Sequence, residues 1–212
     1  MADKKLIHII DDEDPVRRSV GYMLKTSGYA VEAWSSGATF LKNLPSAEDG
    51  CILLDIRMPD IDGLDVQRIL AERGVTMPII IMTGHGDVSI AVQAMKAGAV
   101  DFLEKPFEKA VLMDAIERAF DRIHSDQDTV ARAARADIII AALTTREREV
   151  LEGLAQGLPN KTIAYDLGIS SRTVEVHRAN LMTKLHVHSL SDALRIAFAA
   201  GMGTTSLTGT NT

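Results

Sequence analysis

The sequence predicts an α/β doubly wound, five-stranded parallel sheet followed by a small all-α, four-helix domain containing a helix-turn-helix. Three observations lead there. Residues 1–123 alternate short apolar runs with longer amphipathic stretches, the pattern of a parallel sheet covered by helices on both faces. Residues 143–200 lack such runs and carry four helix-start signals. Between them, HSDQDTVARAARAD (124–137) is polar and Ala-rich with no aromatic residue, the texture of a helical or flexible connector. The expected organisation is a first domain over 1–123, a helical linker over 124–142 and a helical domain over 143–200. The tail over 201–212 lacks apolar periodicity and is expected to be disordered. A chain of 212 residues, 46% hydrophobic and 25% charged, has material for two such cores.

The first predicted strand, Leu6–Ile10, ends at Asp11 and Asp12. The second is Ala30–Trp34; the third, Cys51–Leu54, ends at Asp55; the fourth, Ile79–Met82, ends at Thr83. The fifth, Asp101–Leu103, contains Phe102 and leads to Lys105 and Pro106. Amphipathic stretches place helices over Pro15–Ser27, Gly37–Leu44, Leu64–Arg73, Val88–Ala97 and Lys109–Ile123. In such sheets ligands bind beyond the carboxyl ends of the strands, so these polar residues converge on one edge. Clustered carboxylates repel one another, and an oxygen-liganded divalent cation, Mg²⁺ where phosphate is also bound, relieves that repulsion. A Lys ammonium and a Thr hydroxyl are the donors a phosphoryl group needs. Asp55 can then act as a carboxylate nucleophile that forms an acyl phosphate. Taken singly, an Asp after a strand is a cap or turn residue and a Lys-Pro is a loop. The combination on four strand ends carries the reading.

The helical domain opens with a capping box, Thr144-Thr145-Arg146-Glu147. Asn160, after Gly157-Leu158-Pro159, is the expected N-cap of a second helix; Ser170 or Ser171 opens a third and Ser189 a fourth. The turn Leu167-Gly168-Ile169-Ser170 makes the second and third helices a helix-turn-helix. On a helical wheel, Val174, Leu181 and Leu185 form a buried stripe flanked by His177 and Arg178, while Arg172, Val176, Ala179, Asn180 and Thr183 face outward. An outward Val on a polar face suits a thymine methyl in a major groove. Arg172, Glu175 and Asn180 complete a candidate base-reading set; Lys161, Thr162, Arg178 and Lys184 are placed for phosphates, and Thr173 is a further candidate DNA contact. Two alternatives stay open: Arg178 snorkelling from the core edge, and Glu175 pairing within its helix with Arg172 or Arg178.

Composition narrows the setting. No run of 18 apolar residues occurs, and MADKKLIHII meets DDED early, so neither a membrane span nor a secretory signal is expected. One cysteine, Cys51, excludes an intramolecular disulfide and a Cys-rich zinc site, which fits a reducing cytoplasm. Cys51 itself reads as a small buried hydrophobe, Trp34 as a packing residue, and His85 as an exposed loop histidine. The net charge of −6 divides unevenly: residues 1–128 hold 14 Lys+Arg against 22 Asp+Glu, and the remainder 9 against 7. The first part is acidic and the second slightly basic.

IHIIDDEDPVRRSV, ILLDIRMPDIDGLDV and IIIMTGHGDVSIAVQAMKAGAVDFLEKPF resemble the CheY-like receiver domain of two-component response regulators across residues 1–123. TGHGDV and AMKAGAVDFLEKPF are similar to its FixJ branch. That resemblance implies a phospho-acceptor role for Asp55, served by a sensor histidine kinase. It implies Mg²⁺ held by Asp11, Asp12, Asp55 and the backbone carbonyl of Arg57, with Lys105 and Thr83 on the phosphate. Phe102 takes the switch-aromatic position, often Tyr in the family, and a cis Lys105–Pro106 bond is expected. Val92 and Lys96 match positions through which FixJ-like receivers form a homodimer, although core packing explains Val92 equally well. LTTREREVLEGLAQGLPNKTIAYDLGISSRTVEVHRANLMTKLHVHSLSDAL resembles the LuxR/NarL-type helix-turn-helix domain. Together these imply a transcription factor, not an enzyme, that meets promoter DNA and RNA polymerase. Two rivals predict otherwise: an adaptor whose helical domain binds protein or RNA, and an Asp-nucleophile phosphohydrolase. Against the second, Arg57 stands where such an enzyme places an acid/base Asp.

Overall fold

The computed structural model describes residues 5–84, 88–124 and 136–203. His85, residues 125–135 of the expected linker and residues 204–212 of the expected tail lie outside the described residues. The chain forms two compact units, residues 1–86 with 97–126, and residues 87–96 with 127–212.

The first unit is built on five strands: β1 (Leu6–Ile10), β2 (Ala30–Trp34), β3 (Cys51–Asp55), β4 (Ile79–Thr83) and β5 (Asp101–Glu104). All pair in parallel in the order β2-β1-β3-β4-β5. Strands β1, β3 and β4 are buried along their whole length, which is why their sequences are near-continuous aliphatic runs and not alternating ones. Helices α1 (Asp14–Thr26), α2 (Gly37–Asn43) and α3 (Gly63–Glu72) lie in the crossovers between the first four strands, and α5 (Lys109–His124) follows β5. Ile7, Ile9, Leu53, Ile80 and Met82 from the sheet pack with Leu24 of α1 and Leu112, Ile116 and Phe120 of α5. Cys51 belongs to the same core, fully buried, and burial pushes its thiol pKa upward. Trp34 packs edge-on against Phe40, as expected of a structural residue.

One expectation about the strand ends changes. Asp55 and Thr83 are the last residues of β3 and β4, not the first residues of the loops, because the ladder runs one step further: Asp55 lies opposite Met82 and Thr83 opposite Glu104.

The second unit contains α4 (Val88–Lys96) with α6 (Thr145–Ala155), α7 (Asn160–Leu167), α8 (Ser171–Lys184) and α9 (Leu190–Ala199). Dividing the sequence at residue 123 does not anticipate that α4 groups with these helices by its contacts. Thr144 and Glu147 form the reciprocal capping box: Thr144 Oγ1 accepts from the Glu147 amide at 3.3 Å, and the Thr144 amide donates to Glu147 Oε2 at 2.8 Å. Ser170 caps α8 through the Thr173 amide at 3.0 Å, and Ser189 caps α9 through the Asp192 amide at 3.2 Å. The expected cap at Asn160 is not made. Pro159 takes the N-cap position and Asn160 is the first helical residue, with its side chain turned to Arg178 of α8. Gly168 ends α7 at φ 65°, in the left-handed region that glycine occupies without a Cβ penalty.

Candidate functional site

The carboxyl edge of the sheet gathers the charged residues. Asp11 follows β1 and is fully buried; Asp55 ends β3 at 4% exposure; Asp12 is exposed beside them. Carboxylate oxygens of the three lie within 4.8 Å of one another. Lys105, from the segment after β5, reaches into this cluster, with Nζ 2.7 Å from Asp55 Oδ1 and 2.8 Å from Asp11 Oδ2. The Lys105–Pro106 peptide bond is cis. The Lys105 amide donates to the Thr83 carbonyl at 2.7 Å, which anchors the segment that carries the ammonium.

Burial pushes the Asp55 carboxyl above the usual carboxylate range, and Asp11 and Asp12 add to this, while Lys105 pulls the other way. For Lys105, burial disfavours the ammonium, but its hydrogen bonds to Asp11 and Asp55 outweigh that and raise its pKa. One ammonium thus bridges two buried carboxylates, and a third carboxylate stands at the mouth. An all-oxygen donor set of this charge fits a hard divalent cation such as Mg²⁺. Asp11, Asp12 and Asp55 are the side chains that can hold it.

Thr83 is buried at the end of β4, next to β3 in the sheet, and Arg57 is exposed two residues beyond Asp55. Phe102 is half-buried on β5, in register with Ile81. Of the sequence-predicted pocket set, Asp11, Asp12, Asp55 and Lys105 are brought together, Thr83 ends the neighbouring strand, and Phe102 lies within β5.

Three contributors were missed. Arg17 donates from Nη1 to the Asp11 carbonyl at 2.7 Å, tying α1 to the β1 end. Glu13 donates its amide to Asp11 Oδ1 at 2.8 Å, and its carboxylate lies 3.8 Å from Lys105 Nζ. Gly63 lies so close behind β3 that a Cβ there would sit 2.2 Å from the Asp55 carbonyl oxygen. Arg17 and Glu13 were readable as residues of the turn into α1, but Gly63 carries no such sign.

Val92 and Lys96 both have partners within their own unit. Val92 is 3% exposed, and Lys96 Nζ donates to the Gly203 carbonyl at 2.7 Å with the Phe198 ring 5.8 Å away.

In the helix-turn-helix, Val174, Leu181 and Leu185 are buried and Arg172, Val176, Ala179, Asn180 and Thr183 are exposed, as the wheel places them. Lys161 and Thr162 are exposed on the first turn of α7. Of the open pairings, Glu175 accepts from Arg172 Nη1 at 3.0 Å. Arg178 is half-buried, donates from Nη1 to Asn160 Oδ1 at 3.0 Å, and burial lowers its pKa. Thr173 is half-buried in the α8 cap, with Oγ1 2.8 Å from Ser170 Oγ. Lys184 Nζ donates at 2.7 Å to Glu147 Oε2, so part of its charge is used inside the domain. That pairing was missed because 37 residues separate its members. Among the described residues, no helix is long and apolar enough to cross a membrane.

Comparison with known proteins gives two family matches. Residues 7–117 match the response regulator receiver domain and residues 141–197 match the bacterial regulatory proteins of the luxR family. Transcriptional regulatory protein FixJ of Rhizobium meliloti (strain 1021) is 48% identical over 93% of this chain and 97% of its own length. Its counterpart in Azorhizobium caulinodans is 49% identical over 95% of this chain and 96% of its own. The crystal structure of full-length FixJ from B. japonicum superposes with a TM-score of 0.56 at 44% identity, covering 93% of this chain and 98% of that one. Sheet order, acidic edge, capped helix-turn-helix and end-to-end similarity agree, and the chain belongs to the FixJ-like response regulators, which join a receiver domain to a luxR-type DNA-binding domain.

Proposed function

We propose that a sensor histidine kinase phosphorylates this regulator on Asp55, and that the phosphorylated protein pairs with a second copy, binds promoter DNA and acts on RNA polymerase in the cytoplasm. The observation that carries the reading is the buried Asp55 carboxylate, 2.7 Å from Lys105 Nζ and clustered with Asp11 and Asp12. An Asp55 carboxylate oxygen forms a bond to phosphorus while the P–N bond to the donor histidine breaks. The imidazole nitrogen keeps that electron pair and takes a proton from solvent. Asp11, Asp12, Asp55 and the Arg57 carbonyl would hold Mg²⁺, which when bound would neutralise charge on the phosphoryl oxygens. Phosphorylation adds a charge of about −1.5 to −2 at this edge. Lys105 exchanges part of its contact with Asp55 for the phosphoryl group, and the Thr83 hydroxyl donates to it. That new demand on the β4 and β5 ends, beside Phe102 and Pro106, biases a two-state domain and does not rebuild it.

Pairing through Val92 and Lys96 requires α4 to give up the contacts that now bury Val92 and hold Lys96 on Gly203. On DNA, α8 enters the major groove with Arg172, Thr173, Glu175, Val176 and Asn180 toward base edges. Lys161 and Thr162 meet phosphates, with Arg178 and Lys184 at the margin. The test is a duplex-binding titration with and without a small acyl phosphate donor and Mg²⁺, in the parent and in Asp55→Asn. The donor is expected to raise the parent's affinity and to leave Asp55→Asn unchanged; an equal response in the two rejects Asp55 as the acceptor.

A further inference from the structure

Among the described residues, Tyr165 on α7 is the most exposed of the large apolar side chains, at 86%. An exposed ring is unremarkable by itself, so its position decides. At 100° per residue, Asn160, Ile163, Ala164 and Leu167 form the inward stripe of α7, with Ile163 and Ala164 buried and Asn160 and Leu167 half-buried. One flank of the stripe turns to α6: Ile163, Asp166 and Leu167 line a groove with Arg148 and Glu152. The other flank turns to α8. Asn160 accepts there from Arg178, and the Ala164 carbonyl accepts from the Ile169 amide at 3.0 Å in the turn that leads into α8.

Lys161 and Tyr165, one helical turn apart, continue outward from that second flank. Both are exposed, as is Val176 on α8, at 49%. The single acidic residue of α7, Asp166, lies on the opposite, groove-lining flank. The exposed side of α7 away from that groove therefore carries a cation and an aromatic ring one turn apart, on a helix that Asn160 ties to Arg178 of α8.

We propose that Tyr165 is a sugar–phosphate contact of the DNA-binding surface: its hydroxyl donates to a backbone phosphate next to the one Lys161 meets, and its ring packs against the sugar. This rests on the DNA-binding reading above. A phenol suits the place because it donates one hydrogen bond without adding a charge. Backbone contacts of this kind fix register without reading sequence, so the contact needs no operator to reveal itself.

The experiment uses the full chain, treated with a small acyl phosphate donor and Mg²⁺, and a duplex oligonucleotide of arbitrary sequence, titrated at several salt concentrations. Tyr165→Phe is expected to weaken binding about fivefold and Tyr165→Ala about tenfold. The slope of log K against log salt stays at the parent's value, because no charge is lost. Lys161→Ala, run beside them, makes that slope shallower by about 1.8, about 0.9 for each copy of the dimer. Sedimentation of each variant reports its oligomeric state. Parent-like affinity in Tyr165→Ala overturns the proposal while leaving the DNA reading intact. Weakened binding accompanied by loss of the dimer also overturns it, and assigns the ring to contact between copies. A parent protein that does not bind duplex at any salt, with Lys161→Ala no different, rejects the DNA reading and this contact with it.

Discussion

Gly63 has no room for a side chain: a Cβ there would lie 2.2 Å from the Asp55 carbonyl oxygen and 2.8 Å from the Ile56 Cα, both backbone atoms that cannot rotate away. Its amide donates to the Ile56 carbonyl at 2.8 Å, which closes the loop after β3 and sets the α3 N-terminus against the backbone of Asp55. Substituting Gly63→Ala must therefore move β3, α3 or both, at a cost of about 1–3 kcal/mol typical of overpacking. The Asp55 carboxylate moves with the strand that carries it, and its 2.7 Å contact with Lys105 loosens. Gly63→Ala is expected to lower urea stability by that amount and to slow phosphoryl uptake from a small acyl phosphate. Parent-like stability together with parent-like uptake refutes the argument. The residues gathered at the acidic edge were legible in the sequence, because aliphatic runs mark strand ends and strand ends mark the ligand edge. Gly63 was not legible, since close approach of two backbones leaves no pattern in a single chain. Nor was the buried His8, whose Nδ1 accepts from the Trp34 indole at 3.3 Å and whose Nε2 pairs with the Glu48 carbonyl at 2.9 Å. Those partners lie on other segments, and only the folded sheet identifies them.

Element starts were read from caps, and the reading held where a side chain completes the cap. Thr144, Ser170 and Ser189 all accept from the amide three residues on. Asn160 failed because Pro159, which has no N–H to satisfy, already occupies the N-cap position with an extended backbone, and Asn160 was free to meet Arg178. The capping box of α6 does more than start a helix. Glu147 is 3% exposed and accepts from both the Thr144 amide and the Lys184 ammonium, so it fastens the start of α6 to the end of α8. Those bonds hold its carboxyl at about 2, below its ordinary 4.5. The unfolded chain consequently binds this proton more readily than the folded one. The stability contributed by Glu147 is complete above pH 4.5 and falls away as the pH drops through the folded value near 2. Glu147→Gln keeps the shape and removes the charge. It is expected to lower stability near neutral pH by about 2 kcal/mol, with the gap from the parent narrowing as the pH falls below 4.5. Urea unfolding at a series of pH values reads that gap, and a gap that stays constant with pH would show that the ion pair contributes nothing.

Charge over the whole chain limits how strongly one copy holds DNA. The acidic excess lies in residues 1–128, while residues 143–190 hold six Lys+Arg against five Asp+Glu. The structure reduces the free cations further. Lys184 is committed to Glu147, Arg178 is half-buried on Asn160, and Arg146 and Arg172 each sit on a neighbouring Glu. Arg172 keeps 85% of its side chain exposed and can exchange Glu175 for DNA, and Lys161 is exposed on α7. One copy thus offers roughly two or three cations to phosphates, and each contact contributes a slope of about −0.9 in log K against log salt. A single copy is expected to bind duplex DNA weakly, with a slope near −2. Two copies on adjacent half-sites double the phosphate contacts, and the second engages at a high effective concentration once the first has bound. After treatment with an acyl phosphate donor and Mg²⁺, the full chain should sediment as a dimer and bind with a slope near −4, twice that of the untreated chain. The two measurements must move together. A slope that doubles without a dimer would place the extra cations within one copy, and a dimer whose slope stays near −2 would mean that only one of its helix-turn-helix modules touches DNA.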